Sequence, residues 1–278
     1  MGQSYSNIKD LYYEFNEINR DFGVDSTGHV FYCSERIPEY FNYVNTPGFC
    51  IDYLETASYV LIYLLENLKK YNLEYDKLAE YAILWLRYKL NQSVGYNKTS
   101  LNELYTKHIK NNNYYNKKIN GDGSPTYKEL IDKKKDLMNI QEMTKFSYPF
   151  KLLLLLYDTN KNNSGDCAHL DNAKNFAKEF EELIKISNKI GSSSYNKILY
   201  ILSDDYNNLK NKCTNFPPLP KIKTPLTTVI PVLSTFSVIP AFLGIAYKYS
   251  LFGVDKLFQR QYIRKKLKKV KKKMKLNI

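Results

Sequence analysis

Residues 73–92 read LEYDKLAEYAILWLRYKLNQ, and their apolar positions, around Leu78, Ile83, Trp85 and Leu90, recur at helical spacing. The preceding segment, from Phe49 to Tyr71, repeats the theme through Leu54, Tyr59, Leu61, Leu65 and Leu68. The link between them, NLEYD, is short, as connections between antiparallel neighbours in a helical bundle are. This pair sets the class as all-α.

Toward the N-terminus, Ile8, Leu11, Tyr12, Phe15 and Ile18 share one helical face that stops at Gly23. Asp25–Gly48 contains Gly28, Pro38, Pro47 and Gly48 without a sustained period, and reads as an exposed loop. Toward the C-terminus, Ser100 to Glu103 (SLNE) forms a capping box for a helix to about Ile119. Ser124 and Pro125 supply a cap and first-turn residue for a helix through Leu130 and Leu137. IQEMTKFSYPFKLLLLLYD begins another, which Pro149 should kink or divide. After the polar break NKNNSGDC, Leu170, Ala173, Phe176, Ala177, Phe180 and Ile184 fall at helical spacing, and GSSS starts a last helix that carries Cys213. Residues 1–213 are thus expected to form a bundle of seven or eight helices, with no strand pattern and no internal repeat. NFPPLPKIKTP, with four prolines, follows as an extended stalk over 214–223.

Residues 224–247, TPLTTVIPVLSTFSVIPAFLGIAY, run without a charge. A helix of that length spans about 36 Å, enough to cross a hydrocarbon core of about 30 Å. Residues 224–252 are therefore read as one transmembrane helix, with Pro231 and Pro240 tolerated because nearby Ser and Thr hydroxyls can occupy the freed carbonyls. The tail, 253–278, is basic. From Lys248 onward the chain carries +11 of its +13 net charge, with Arg260, Arg264, Lys265, Lys266, Lys268, Lys269, Lys271, Lys272 and Lys273 packed close together. Flanking Lys and Arg stay on the cytoplasmic side, which places the C-terminus inside and the N-terminus outside. Val254, Leu257, Phe258, Tyr262, Leu267, Val270 and Met274 recur every three to four residues, so the tail reads as a basic amphipathic helix lying along anionic inner-leaflet lipids. Nucleic-acid binding is the rival reading of so basic a segment, and the adjoining span disfavours it. The N-terminus, MGQSYSNIKDLYYEFNEI, has no apolar core ahead of a small-residue cleavage site, so no signal peptide is read there.

Four cysteines precede the span, Cys33, Cys50, Cys167 and Cys213, and allow three pairings. Cys33 with Cys50 and Cys167 with Cys213 is favoured, because each pair brackets one local unit. No CxxC pair is present, and His29, His108 and His169 are scattered, so no metal site is expected. No phosphate-binding loop, nucleophile elbow, HExxH or paired-carboxylate site stands out. Asp204 and Asp205 are adjacent on a helix, point in different directions and read as a solvated face. The chain is therefore expected to be no enzyme, with no cofactor and no small-molecule substrate. Its 26 Tyr, beside runs rich in Asn and Lys, are most simply the mark of A/T-rich codons.

LAEYAILWLRYKLNQ, LNELYTKHIKNNNYYNKKI, YKELIDKKKDLMNI, FPPLPKI and VIPVLSTFSVIPAFLGIAYKYSLFG with its Lys-rich tail resemble the Plasmodium interspersed repeat (PIR) proteins, in their rodent-malaria yir/bir/cir branch. The resemblance covers nearly the whole chain and departs mainly between Asp25 and Thr56, which bears on the Cys33 to Cys50 pairing. It implies a variant surface antigen of blood-stage parasites, exported to the infected red-cell membrane or to the parasitophorous vacuole or parasite membrane. Antigenic variation, immune evasion and adhesion to host receptors or antibodies are the implied roles. No RxLxE-type export motif is present: Arg20, Arg36 and Arg87 lack Leu two positions on. An internal membrane-anchored scaffold or adaptor is the alternative from another class. Asp25–Gly48, and after it Asn111–Ser124, are expected to form the exposed, variable surface.

Overall fold

The computed structural model describes residues 5–34, 52–159 and 167–222. Its centre is α3 (Tyr75–Gln92), which buries Leu78, Tyr81, Ile83, Trp85, Leu86 and Leu90 and so turns every face toward protein. A helix enclosed all round takes neighbours on all sides. Here they are α2 (Tyr53–Leu68), α5 (Tyr127–Asp132), a 3₁₀ turn at Gln141–Phe146, and α7 (Ser147–Thr159). The N-terminal helix α1 (Tyr5–Asp21) packs on α2 and α7, while α8 (Leu170–Ile190) and α9 (Ser193–Lys210) pack on α7 and on each other. α2 begins at the cap Asp52, whose carboxylate accepts from Glu55 N at 2.8 Å. The chain turns at Asn72, in the left-handed region with φ 50°, and enters α3. This helix pair is the one expected from the 49–92 pattern.

Elsewhere the structure corrects the sequence reading. A two-stranded antiparallel hairpin, β1 (Phe22–Val24) and β2 (Phe31–Cys33), stands where only helix end and loop were expected, with Phe22 opposite Cys33 and Val24 opposite Phe31. Phe22 is its buried anchor, its ring 5.0 Å from that of Tyr53. The helix expected from Ser100 to Ile119 is only α4 (Leu101–Leu104), and of the expected capping box the Ser100 half is present, its hydroxyl accepting from Glu103 N while the Glu103 carboxylate accepts from Lys107. It widens into a π-turn at Tyr105–Ile109, where Lys110 N donates to Tyr105 O, and yields to a 3₁₀ turn at Asn113–Asn116. Asn112 drives that change by accepting from Tyr114 N, a local bond that competes with helix.

The next helix start is also displaced. Thr126 and Glu129 form the capping box of α5, whereas the Ser124 hydroxyl donates to Gly121 O and closes the preceding turn. After α5 the chain turns at Lys134 into α6 (Lys135–Met138). Lys134 Nζ lies 2.8 Å from Glu80 Oε1, both almost fully buried, and fastens this turn to α3. Pro149 lies in the first turn of α7, where no amide donor is needed, so the division falls upstream, between Phe146 and Ser147. Cys213 lies three residues beyond α9. The expected stalk starts late: Phe216 is 2% exposed and stacks on Tyr206, whose hydroxyl donates to Pro217 O. Burying that ring, a gain of about 2 kcal/mol, outweighs the preference of a Pro-rich run for open extension.

Among the described residues no helix is long and apolar enough to cross a membrane. The expected span at 224–252 and the basic tail at 253–278 lie outside the described residues.

Candidate binding surface

The hairpin tip is built from Asp25. Its carboxylate accepts from the Thr27 hydroxyl at 2.8 Å and from the amides of His29 and Val30, while Asp25 N donates to Val30 O. These donors, the Thr27 hydroxyl first, hold the Asp25 carboxyl below the usual carboxylate range. Gly28 supplies the φ of +74° that the turn requires, and its backbone lies so close to α3 that a Cβ would stand 2.9 Å from Gln92 O. Val94 N donates to Gly28 O, so the tip is docked on the C-terminal end of α3. Under the hairpin lies Lys89, fully buried, its Nζ donating to Phe22 O and facing the rings of Phe22, Trp85 and Tyr88 at 5.3, 5.5 and 5.6 Å. Burial pushes the Lys89 pKa well down.

Docking leaves a cleft of about 490 Å³ between the hairpin tip, the end of α3 and the start of α7, lined by Thr27, Tyr88, Asn91, Gln92, Val94, Tyr148 and Lys151 among others. Two apolar side chains of the lining are exposed, Val94 at 49% and Tyr148 at 47%, and Val30, on the same hairpin, is 64% exposed. Apolar anchors rimmed by amides and a lysine make a surface suited to a protein partner.

The second expected loop, Asn111–Ser124, is pinned at its base. Tyr115 is fully buried and donates to Ser58 O on α2, and Ile119 N donates to Pro125 O. At its tip, Gly121 and Gly123 have φ of +79° and +83°, and a Cβ at either would point into open space. Substituting Tyr115→Phe is expected to cost about 1 kcal/mol, the net worth of one buried hydrogen bond, read as a lower urea midpoint at unchanged slope.

Cys167 and Cys213 form a disulfide, with Cα atoms 5.4 Å apart, joining the entry of α8 to the exit of α9. Cys33, in β2, is disulfide-bonded, and Cys50 lies outside the described residues. The basic cluster Arg260–Lys273 lies outside them too, as does the part of the first expected loop beyond Ser34. His29 and His169 are exposed and His108 half-buried, with no two of them together in one element. Among the described residues no three His, Cys, Asp or Glu side chains stand close enough to hold a metal.

Asp205, read above as a solvated carboxylate, is fully buried. It accepts from the hydroxyls of Tyr12 on α1 and Tyr81 on α3, each at 2.8 Å, and Tyr157 on α7 donates to its main-chain oxygen at 2.6 Å. The Asp205 carboxylate thus ties α9 to α1 and α3, and its main-chain oxygen ties α9 to α7. Burial, opposed by Lys77 and by the two hydroxyls, pushes its pKa up to about 6. The signal was in the sequence: Asp205 lies three residues after Leu202 and four before Leu209, on the buried stripe of α9. Asp204, its neighbour, is exposed.

The family model of the Plasmodium variant antigen protein Cir/Yir/Bir matches residues 12–248. The fold is similar to a solved Plasmodium structure, that of a PIR protein ectodomain, with a TM-score of 0.58 and 32% sequence identity over 80% of this chain and 100% of that one. No curated protein is a significant match.

Proposed function

The chain belongs to the Plasmodium Cir/Yir/Bir variant antigen family, and we propose that it works by adhesion and immune evasion, presenting the hairpin-tip surface to host receptors or antibodies. The observation that carries this reading is the pair of exposed apolar side chains Val94 and Tyr148 in the lining of the cleft, with exposed Val30 on the adjoining hairpin. The scaffold beneath is independent of those side chains, so they can vary at little cost in stability. We further propose a single-pass arrangement, with residues 1–223 outside, 224–252 spanning the bilayer and 253–278 on the cytoplasmic leaflet. The uncharged run and the basic tail that follows it support that topology.

Binding of the chain to host cells, and to antibodies raised by infection, tests the surface. Val30→Asp combined with Tyr148→Asp is expected to weaken binding by about 30-fold, the size of a hot-spot loss near 2 kcal/mol, with the unfolding temperature nearly unchanged. Binding that survives both changes, or that maps only to residues 53–86, refutes the assignment. Absence of the protein from the surface of intact infected cells, with full retention inside, would favour the internal scaffold instead.

A further inference from the structure

Arg87, on α3, is only 3% exposed, yet no carboxylate among the described residues meets it. Nη1 donates to Thr99 O at 2.8 Å, and Nη2 donates to Asn91 Oδ1 at 2.6 Å and Asn97 O at 3.1 Å. Nε has no hydrogen-bond partner. Three of the five guanidinium N–H groups are therefore engaged, all with neutral acceptors. Burial lowers the pKa of Arg87 to about 10, which leaves it cationic at neutral pH. A buried cation without a counter-charge is costly, and such groups are ordinarily paired with an acid.

Beside Arg87 a recess of about 650 Å³ opens between residues 97–102 and residues 138–144. Arg87 is one of its lining residues. Lys98 adds a second cation at its rim, and none of the lining residues is acidic. Asn102, Asn139, Gln141 and Thr144 offer neutral donors and acceptors, and half-buried Ile140 an apolar contact. Such a lining suits a ligand with one negative group, several hydroxyls and an apolar C–H face, and the volume falls within the range of small-ligand sites.

We propose that this recess binds an acidic sugar, its oxyanion toward Arg87 and Lys98 and its hydroxyls on the amides of Asn102, Asn139 and Gln141. The site is distinct from the hairpin-tip surface, and the proposal holds whichever membrane carries the chain. The full chain in neutral detergent micelles is titrated by calorimetry with glucuronic acid, N-acetylneuraminic acid and glucose 6-sulfate, and with the methyl esters of the first two. The acids are expected to saturate one site, and the esters to bind about tenfold or more weakly, a difference of about 1.4 kcal/mol. A preference for carboxylated or for sulfated sugar supports the proposal and identifies the oxyanion. Lys98→Glu and Gln141→Glu, both at exposed positions, place negative charge at the recess without touching the core. Each is expected to weaken acid binding about tenfold at unchanged unfolding temperature. Esters that bind as well as acids, variants that bind as the parent does, or no saturable binding overturn the proposal. Inorganic sulfate binding as tightly as the sugars overturns the sugar assignment.

Discussion

Cys167→Ser with Cys213→Ser is expected to lower stability by about 4 kcal/mol and the unfolding temperature by about 10 °C. The bond closes a sequence separation of 46 residues that contains all of α8 and α9. In the chain-entropy account, opening a loop of that length returns about 4 kcal/mol of freedom to the unfolded state. Native contacts do not replace the bond. α8 packs on α7 and α9 along one face, its other face being charged and exposed, and residues 160–166 between α7 and α8 are rich in Asn, Ser and Gly. Without the disulfide, α8 is the element expected to open first, and limited proteolysis should cut within it before any other helix. Equilibrium unfolding in urea, with the double variant beside the parent, measures the effect. A change below about 1 kcal/mol would mean that packing, led by the stack of Phe176 on Tyr206 at 4.7 Å, already closes the loop in the unfolded chain's residual structure.

Periodicity carried the sequence reading as far as long amphipathic helices go. The helix pair around residues 53–92, the face of α1 from Ile8 to Ile18 and the stripe of α8 were all legible, because burial on one face repeats every three to four residues. Three kinds of feature were not. Short elements lack room for a period, and β1 and β2 are three residues each. The signal that could have found them was Gly28 in a turn between FGV and FYC, two short apolar runs. Local side-chain bonds also redirected the chain, as Asn112 and Thr126 show, and their outcome depends on which competing bond wins.

The third kind was the buried charge. Glu80, Arg87 and Lys89 lie on a helix that is enclosed all round, so alternation of polar and apolar residues gave no inward face to assign. Each is tolerated through a partner outside its own helix: Lys134 for Glu80, the 97–99 loop for Arg87, Phe22 for Lys89. Such partners are a product of the tertiary fold. The candidate binding surface was legible only as a loop, since its cleft depends on Gly28 docking against α3 and on Tyr148 opening α7 beside it.

The charge at the centre of the bundle carries the second large effect. Asp205 in the folded chain titrates near 6, against about 3.9 for an unfolded aspartate, so between these values the native state holds more protons than the unfolded one. Stability contributed by this group is therefore fully present below about pH 4 and is lost as the pH rises through 6, a total of about 3 kcal/mol. Burial sets that direction, with Asp204 adding to it and Lys77 and the two hydroxyls opposing it. Tyr12 and Tyr81 donate to the carboxylate and Tyr157 to its main-chain oxygen, Asp204 is a second acid nearby, and Lys77 is the cation that favours ionisation. Asp205→Asn keeps an oxygen for Tyr12 and Tyr81 and removes the titration. Measured against that variant by urea unfolding, the parent is expected to gain about 2 kcal/mol between pH 7.5 and pH 4, so that other titrating groups cancel. Tyr81→Phe withdraws one donor from the carboxylate and should move the window to higher pH. A parent that loses stability relative to Asp205→Asn as the pH falls would show that the tyrosine hydroxyls and Lys77 outweigh burial, and that the bundle is built around an ionised carboxylate.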